Sequence, residues 1–247
     1  MSDLFDSRLP APGKPADEND LIILRRYRMA KRAAAPEGGV MLDLGCGNGS
    51  QTMVFAGDFS MVVGVDIIDR HLRGFAERLR RDARGERVVP VLYDGRNLPI
   101  RTASIDCAIS FEVLEHVGDE GLALSELARV VKPGGKLVIS VPNRWWVFET
   151  HGADLPMLPW NRVPFFGWLP KRIHDRYARA RNYSRSEIVR KVSGAGCAVI
   201  DAAYVTAPMD VVRWALLQKA LRNTIFRGDE TEVPLLATSI MVAARRN

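Results

Sequence analysis

Glycines at 45, 47 and 49, with Asp43 two residues before the first, are the residues of this chain whose spacing most directly suggests chemistry. They lie in Val40-Met-Leu-Asp-Leu-Gly-Cys-Gly-Asn-Gly-Ser50, an apolar run that feeds straight into a loop. Glycine at that spacing lets a backbone approach a ligand with no Cβ in the way, and it tolerates the positive φ of a tight turn. A helix expected from about residue 50 would aim its first N–H groups at the same place. The motif alone leaves two cofactor classes open. A dinucleotide fingerprint also runs strand, Gly-x-Gly, helix, but it requires Gly or Ala at the sixth position, where this chain has Ser50.

Four later segments bear on the choice. Met61-Val-Val-Gly-Val-Asp-Ile67 reads as a second buried strand ending in Asp66, about 20 positions after the glycines, where a carboxylate can accept from both ribose hydroxyls. Val88-Val-Pro-Val-Leu-Tyr-Asp94-Gly95 reads as a third strand, and Ile105 to Val113 as a fourth that leads into Leu114-Glu-His116. Glu126 to Pro142 reads as a helix end, a Pro-Gly-Gly turn and a fifth strand. In this order, over residues 40–142, the set resembles class I S-adenosylmethionine-dependent methyltransferases, whose first motif has the form Asp-x-Gly-x-Gly-x-Gly.

The resemblance implies S-adenosyl-L-methionine as cofactor. It places Gly45, Cys46, Gly47 and Gly49 in the cofactor loop, with Gly45 and Glu112 at the methionine end. Asp66 and Ile67 then take the ribose, Asp94 and Gly95 the adenine amine, and Phe111 packs beside the cofactor. Asp43 is expected to order the loop rather than touch the ligand. The implied fold is α/β, a doubly wound seven-stranded and mostly parallel sheet in the order 3-2-1-4-5-7-6, with the last strand antiparallel. Pro90 supports that order independently: it would delete a ladder donor, so the third strand should lie at the sheet edge.

Methyl transfer from a sulfonium is an in-line displacement with a neutral thioether leaving group, so orientation and exclusion of water dominate. A hydroxyl acceptor also benefits from a base near neutrality, for which histidine is suited. The chain has four histidines. His151, in Phe148-Glu-Thr-His-Gly152, and His116, after the fourth strand, are the catalytic candidates, in that order. His71 is expected on a solvated helix face. His174, beside Asp175 in an arginine-rich stretch, is expected in a solvated turn. No metal site is expected. Cys46, Cys107 and Cys197 are odd in number and widely spaced, and read as reduced thiols of a cytoplasmic protein.

The elements that would position these groups follow from periodicity. Residues 1–16 read as a loose tail, and residues 17–247 as a single domain. Asp20 could cap a helix to about Ala35, with Ile23, Tyr27, Ala30 and Ala34 on one face. A helix is expected over 70–84, with Leu72, Phe75, Ala76 and Leu79 inward. Ser184-Arg-Ser-Glu187 has the pattern of a capping box, and a strand is expected at 197–205. A basic helix from about Met209 to Phe226 and a last strand at 237–244 complete the chain. No segment has the length of a membrane span or the regions of a signal peptide.

Residues 143–183 break the alternation. Trp145, Trp146, Phe148, Trp160, Phe165, Phe166 and Trp168 are interleaved with Pro156, Pro159, Pro164 and Pro170. We read this as a lid over the acceptor site, directly after the fifth strand, whose end borders the cofactor crevice. A bulky, partly apolar small-molecule acceptor, lipid- or glycan-linked, suits such a lining. O-methylation is the expected outcome, with N- or C-methylation and an NAD-dependent oxidoreductase as alternatives. The net charge of +6 favours an anionic partner. No nucleic-acid-binding appendage is visible. The basic helix, with Trp214, Leu217, Leu221 and Ile225 among Arg213, Lys219, Arg222 and Arg227, has the composition of an interfacial helix or of one packed on the sheet, so peripheral contact with the inner membrane surface is a further expectation. Oligomeric state is not legible.

Overall fold

A computed structural model describes residues 17–149, 151–155, 158–160 and 163–247, with the side chains of 154–155 and 158–160 left aside. The tail expected over 1–16 and the proline at 156 lie outside the described residues, and so do the side chains of Pro159 and Trp160.

The chain opens with α1 (Leu21–Ala34) and then alternates: β1 (Val40–Leu44), α2 (Ser50–Phe55), β2 (Met61–Asp66), α3 (Asp69–Leu79), β3 (Val88–Leu92), β4 (Ile105–Phe111), α4 (Glu120–Val130) and β5 (Val131–Pro142). After β5 come a small hairpin, β6 (Ala153–Leu155) and β7 (Leu158–Trp160), and α5 (Lys171–Tyr177). The last part is α6 (Arg185–Gly194), β8 (Cys197–Thr206), α7 (Ala215–Asn223), β9 (Glu230–Thr231) and β10 (Ala237–Arg246).

Eight strands form one sheet in the order β3-β2-β1-β4-β5-β10-β8-β9. The first five run parallel, and β10 is antiparallel to both β5 and β8. The seven long strands therefore keep the expected order. The eighth is a correction: β9 adds two residues to the edge by pairing with β8 at Tyr204 and Val205. At the opposite edge Pro90 faces Gly64 of β2, so its missing donor costs no ladder bond on the outer side.

Covering both faces explains why the central strands are mostly apolar on both sides. In β1, Met41 joins one core with Met29 and Ala30 of α1, Phe55 of α2 and Phe75 of α3. Leu42 and Leu44 join the other core, with Leu124 and Leu127 of α4 and Ile188 and Val192 of α6. Ser184 caps α6 by accepting from the Glu187 amide, while the Glu187 side chain pairs with Lys171 instead of closing the capping box. Asp20 stands at the N-cap of α1 but makes no cap bond; its carboxylate accepts from the Asp17 amide.

Three helices differ from expectation. The helix after the glycine loop is only six residues long, so it offers no extended dipole to a ligand. α3 stops at Leu79 and gives way to a 3-10 turn over Ala83–Arg87. The basic helix shrinks to the nine residues of α7, none of them buried, because Met209 turns into the left-handed region before it and Thr224 breaks it. It is not a sheet-packing helix. Among the described residues no helix is long and apolar enough to cross a membrane.

Arg25, Arg28 and Arg32, the first of them buried, tie α1 to the late segments. Arg25, 2% exposed, donates to the carbonyls of Thr206, Ala207 and Phe226. Arg28 and Arg32 pair with Asp229. Trp146 of the insertion is buried against Ala207 and Phe226, so the aromatic segment and the segment around α7 share a third small core.

Candidate active site

The three loop glycines have φ of +78°, +53° and +79°, but they serve different ends. A Cβ on Gly49 would lie 1.9 Å from the Phe75 ring, so this glycine lets α3 pack under the loop. A Cβ on Gly47 would meet nothing within 4 Å: its face is open, and its amide donates to Asp66 Oδ2 at 2.8 Å. Gly47 is therefore the glycine at which a ligand can approach backbone. Gly45 turns the chain from β1, its amide and that of Cys46 both donating to the Val65 carbonyl. Burial pushes the Cys46 thiol up, so it is inert, and all three cysteines are buried free thiols.

Asp43 is buried, and its carboxylate accepts from the Thr52 hydroxyl at 2.6 Å. Burial raises it to about 7 against that hydrogen bond. It orders the loop from below, as expected. Asp66 ends β2 with Oδ1 accepting from the Ile68 amide at 2.8 Å and Oδ2 from Gly47. Each oxygen keeps lone-pair capacity for a ribose hydroxyl. Ile67 is half-buried beside it. Asp94, exposed beyond the end of β3, holds its loop by accepting from the amides of Arg96 and Asn97, which keep it below the usual carboxylate range. Gly95 follows with φ +80°. Open backbone at Gly47, a diol-sized acceptor at Asp66 and a carboxylate at Asp94 follow one another along the ends of β1, β2 and β3. This arrangement fits S-adenosylmethionine.

At the end of β4, Phe111 is buried and its ring centroid lies 6.3 Å from that of Phe55. Glu112 has φ +57°, a left-handed conformation that costs a non-glycine residue energy and is concentrated at functional sites. It is held there by Arg26 Nη2 at 2.8 Å and by the Ser140 hydroxyl, which donates at 2.9 Å. Sequence reasoning missed Arg26. The signal was available: Arg26 falls on the same helical face as Ile23 and Ala30, and a charge on a buried face calls for a partner.

A second cluster, past the end of β4, is assembled from distant segments. Glu115 is fully buried, and neither carboxylate oxygen has a hydrogen-bond partner. His116 Nε2 lies 3.8 Å and His151 Nε2 3.7 Å from its Oε1, and the two imidazoles meet edge to face with centroids 4.9 Å apart. Burial and Glu112 drive the Glu115 carboxyl well above its usual range. Burial, with His151 and Arg181 nearby, pulls His116 down to about 4. Arg181 secures the turn by donating to the carbonyls of Leu114 and Val117. No local pattern in the sequence gives Glu115 a role, because only the packing turns its carboxylate inward.

His151 reaches this place through the insertion. Its amide donates to Glu149 Oε1 at 3.4 Å, and Gly152 accepts from the Arg179 amide. Glu149 Oε2 is 2.9 Å from His174 Nε2, while Asp175 Oδ1 is 3.0 Å from His174 Nδ1. His174 is thus a correction: it is 1% exposed rather than solvated. Burial works against its charge, but the hydrogen bonds to Glu149 and Asp175 win and raise it above the ordinary value. It stands behind His151 as a brace. His71, on α3, is partly exposed and away from this cluster.

Residues 42–139 match the family described as a methyltransferase domain. A Mycolicibacterium smegmatis protein named "Probable S-adenosylmethionine-dependent methyltransferase" is 32% identical over 135 residues, 54% of this chain and 48% of that protein. The 27-O-demethylrifamycin SV methyltransferase of Amycolatopsis mediterranei is 33% identical over 114 residues, 45% of this chain and 42% of that one. The chain spans about half the length of the curated relatives it matches. Among solved structures, geranyl diphosphate C-methyltransferase from Streptomyces coelicolor superposes with a TM-score of 0.61 at 17% identity, covering 90% of this chain and 77% of that one. That likeness concerns the fold alone. The domain match and the open glycine loop decide between the two cofactor classes left open above. Residues 42–139 of the chain carry a methyltransferase domain of the S-adenosylmethionine-dependent kind.

Proposed function

We propose that this protein transfers a methyl group to a hydroxyl of a bulky, partly apolar small molecule, assisted by histidine, with His151 ahead of His116. The observation that carries the reading is the convergence of His151, from the aromatic insertion, on Glu115 and His116 at the end of β4. S-adenosylmethionine, when bound, supplies an electrophilic methyl on a sulfonium. Gly45 and Glu112 would hold its methionine end, Gly47 and Asp66 its ribose, and Asp94 its adenine, with Cys46, Gly49, Ile67, Gly95 and Phe111 completing the walls.

This chain's own residues then have three tasks: to hold the acceptor oxygen in line, to keep water out and to relieve the hydroxyl of its proton. The insertion over 143–183 serves the first two as a lid. Trp146 anchors it to Ala207 and Phe226, and Phe165 and Trp168 pair edge to face at 4.8 Å on its surface. The third falls to the histidines, at the end of the crevice beside Glu112. The names of the similar proteins cover both O- and C-methylation, and the histidine cluster favours oxygen.

A separate observation supports a lipid-linked acceptor presented at a membrane surface. α7 and its flanks expose Trp214, Leu216, Leu217 and Ile225 among Arg213, Lys219 and Arg227, the composition of an interfacial helix facing anionic lipid. The deciding experiment incubates the protein with labelled S-adenosylmethionine and acceptor extracts, and locates the added methyl by mass spectrometry. Methylated oxygen on an apolar molecule is expected. Transfer to carbon or nitrogen, or efficient turnover of a small hydrophilic acceptor, would overturn the corresponding part. Flotation with anionic vesicles at low salt tests the surface role, and no association would exclude it.

A further inference from the structure

We infer that Glu115, His116 and His151 form a binding site for a divalent transition-metal ion of the zinc class, whose open position takes the acceptor hydroxyl. The inference rests on the reading of this cluster as the acceptor end of the crevice, and it departs from the sequence expectation of no metal.

Three observations carry it. The first is donor type: two imidazoles and one carboxylate are the set that holds catalytic zinc and related ions with positions left for substrate. The second is convergence. The ligand-capable atoms of the three side chains lie within 4.8 Å of one another. The two Nε2 atoms stand 3.8 and 3.7 Å from the same Glu115 oxygen, too long for hydrogen bonds. They are only a few tenths of an ångström beyond the separation of roughly 3.3 Å that two ligands take on a tetrahedral ion with bonds of about 2.0–2.1 Å. The third is the carboxylate itself. Glu115 is fully buried, and both its oxygens are without a hydrogen bond. An unpaired buried carboxylate is costly, and a cation seated between it and the imidazoles removes that cost. Arg26 and Arg181 are near enough to act on the carboxylate but do not hydrogen-bond to it, because their guanidinium groups are engaged by Glu112 and by the carbonyls of Leu114 and Val117 and by Glu120.

In this arrangement the histidines act on the acceptor through the ion. A hydroxyl bound at the open position becomes acidic enough to lose its proton to water near neutral pH. The oxygen then forms its bond to the methyl carbon as the carbon–sulfur bond breaks. The sulfonium charge is cancelled as a neutral thioether leaves, and one proton is released per turnover.

The test uses the full chain, stripped with a chelator and dialysed. Zinc is titrated calorimetrically and cobalt(II) is used as a spectroscopic probe, with S-adenosylmethionine binding measured in parallel. Stoichiometric zinc binding is expected, together with a visible ligand-field band for cobalt that identifies nitrogen ligation at low coordination number. Glu115→Gln, His116→Ala and His151→Ala should each weaken zinc at least about 100-fold and abolish the band, while retained S-adenosylmethionine affinity shows that the variants fold. Absence of stoichiometric binding, or a cobalt spectrum unchanged in the three variants, overturns the site. If the chelated protein still methylates and His151→Ala stops it, the metal falls while the proposed histidine-assisted transfer stands. If zinc binds as described but S-adenosylmethionine does not, the metal site stands and the proposed function falls.

Discussion

The two ends of the proposed site, one for the cofactor and one for the acceptor, are built in opposite ways. The cofactor end gathers its groups from loops that each follow directly on a parallel strand, so Gly47, Asp66 and Asp94 are placed by the sheet itself. The acceptor end joins Glu115 and His116, just past β4, to His151, which a chain of side chains outside the sheet holds in place: Glu149, His174 and Asp175 behind it, and Trp146 against Ala207 and Phe226. The first end needs only a sheet and a turn. The second needs an insertion to fold correctly on its own account, and so can vary without disturbing the first. A scaffold that keeps one cofactor and changes acceptors requires that division.

The division breaks most visibly at His151. His151→Ala should lower turnover about 10²–10⁴-fold while leaving S-adenosylmethionine affinity nearly unchanged, as measured by steady-state kinetics beside calorimetry. A matching fall in affinity would mean that the two ends are coupled. Within the cofactor end, the glycines should separate in turn. Gly49→Ala drives a methyl into Phe75 at positive φ, and should cost about 3 kcal/mol in urea unfolding. Gly47→Ala meets open space and should cost only about 1 kcal/mol in stability, with its main effect on cofactor affinity.

Asp66→Ala removes the acceptor of two backbone amides and the proposed acceptor of the ribose. Its S-adenosylmethionine affinity should fall roughly 10–100-fold in an isothermal titration. Wild-type affinity would refute the placement of the ribose. The smallest effect is expected at the brace. Because the folded pKa of His174 is raised, its contribution to stability is complete below the ordinary histidine value of about 6.5 and is lost as pH rises through the folded value. The gap in melting temperature between wild type and His174→Ala should therefore narrow with rising pH. A gap that widens would show that the Glu149 pair is not what holds the insertion.

Residue periodicity was a good guide wherever burial is set by neighbours in the chain. β1 to β5, the edge position of β3 and the capping serine of α6 were all legible, because each depends on local hydrogen bonding or on one apolar face. It failed where a distant partner decides. α7 has an amphipathic pattern, yet none of its residues is fully buried: Leu221 packs against the small core of Trp146, Ala207 and Phe226, and Arg25 of α1 binds the chain on either side of the helix. His174 sits among arginines, whose charge in the sequence suggests water, but Glu149 and Asp175 draw it inside.

The sequence by itself determined the apolar strands, the glycine loop and the acidic residues at the ends of β2 and β3, since apolar runs and turns of fixed chemistry place these groups without long-range help, and its family resemblance implied the doubly wound order of the sheet. Only the tertiary structure decided which side chains meet at the acceptor end. That Glu115 turns its carboxylate inward, that Arg26 holds Glu112 in a left-handed turn, and that His151 arrives 3.7 Å from Glu115 are consequences of packing between segments far apart in the chain. No local pattern encodes such a distance, because it is set by the sum of contacts along both segments and not by the residues that finally touch.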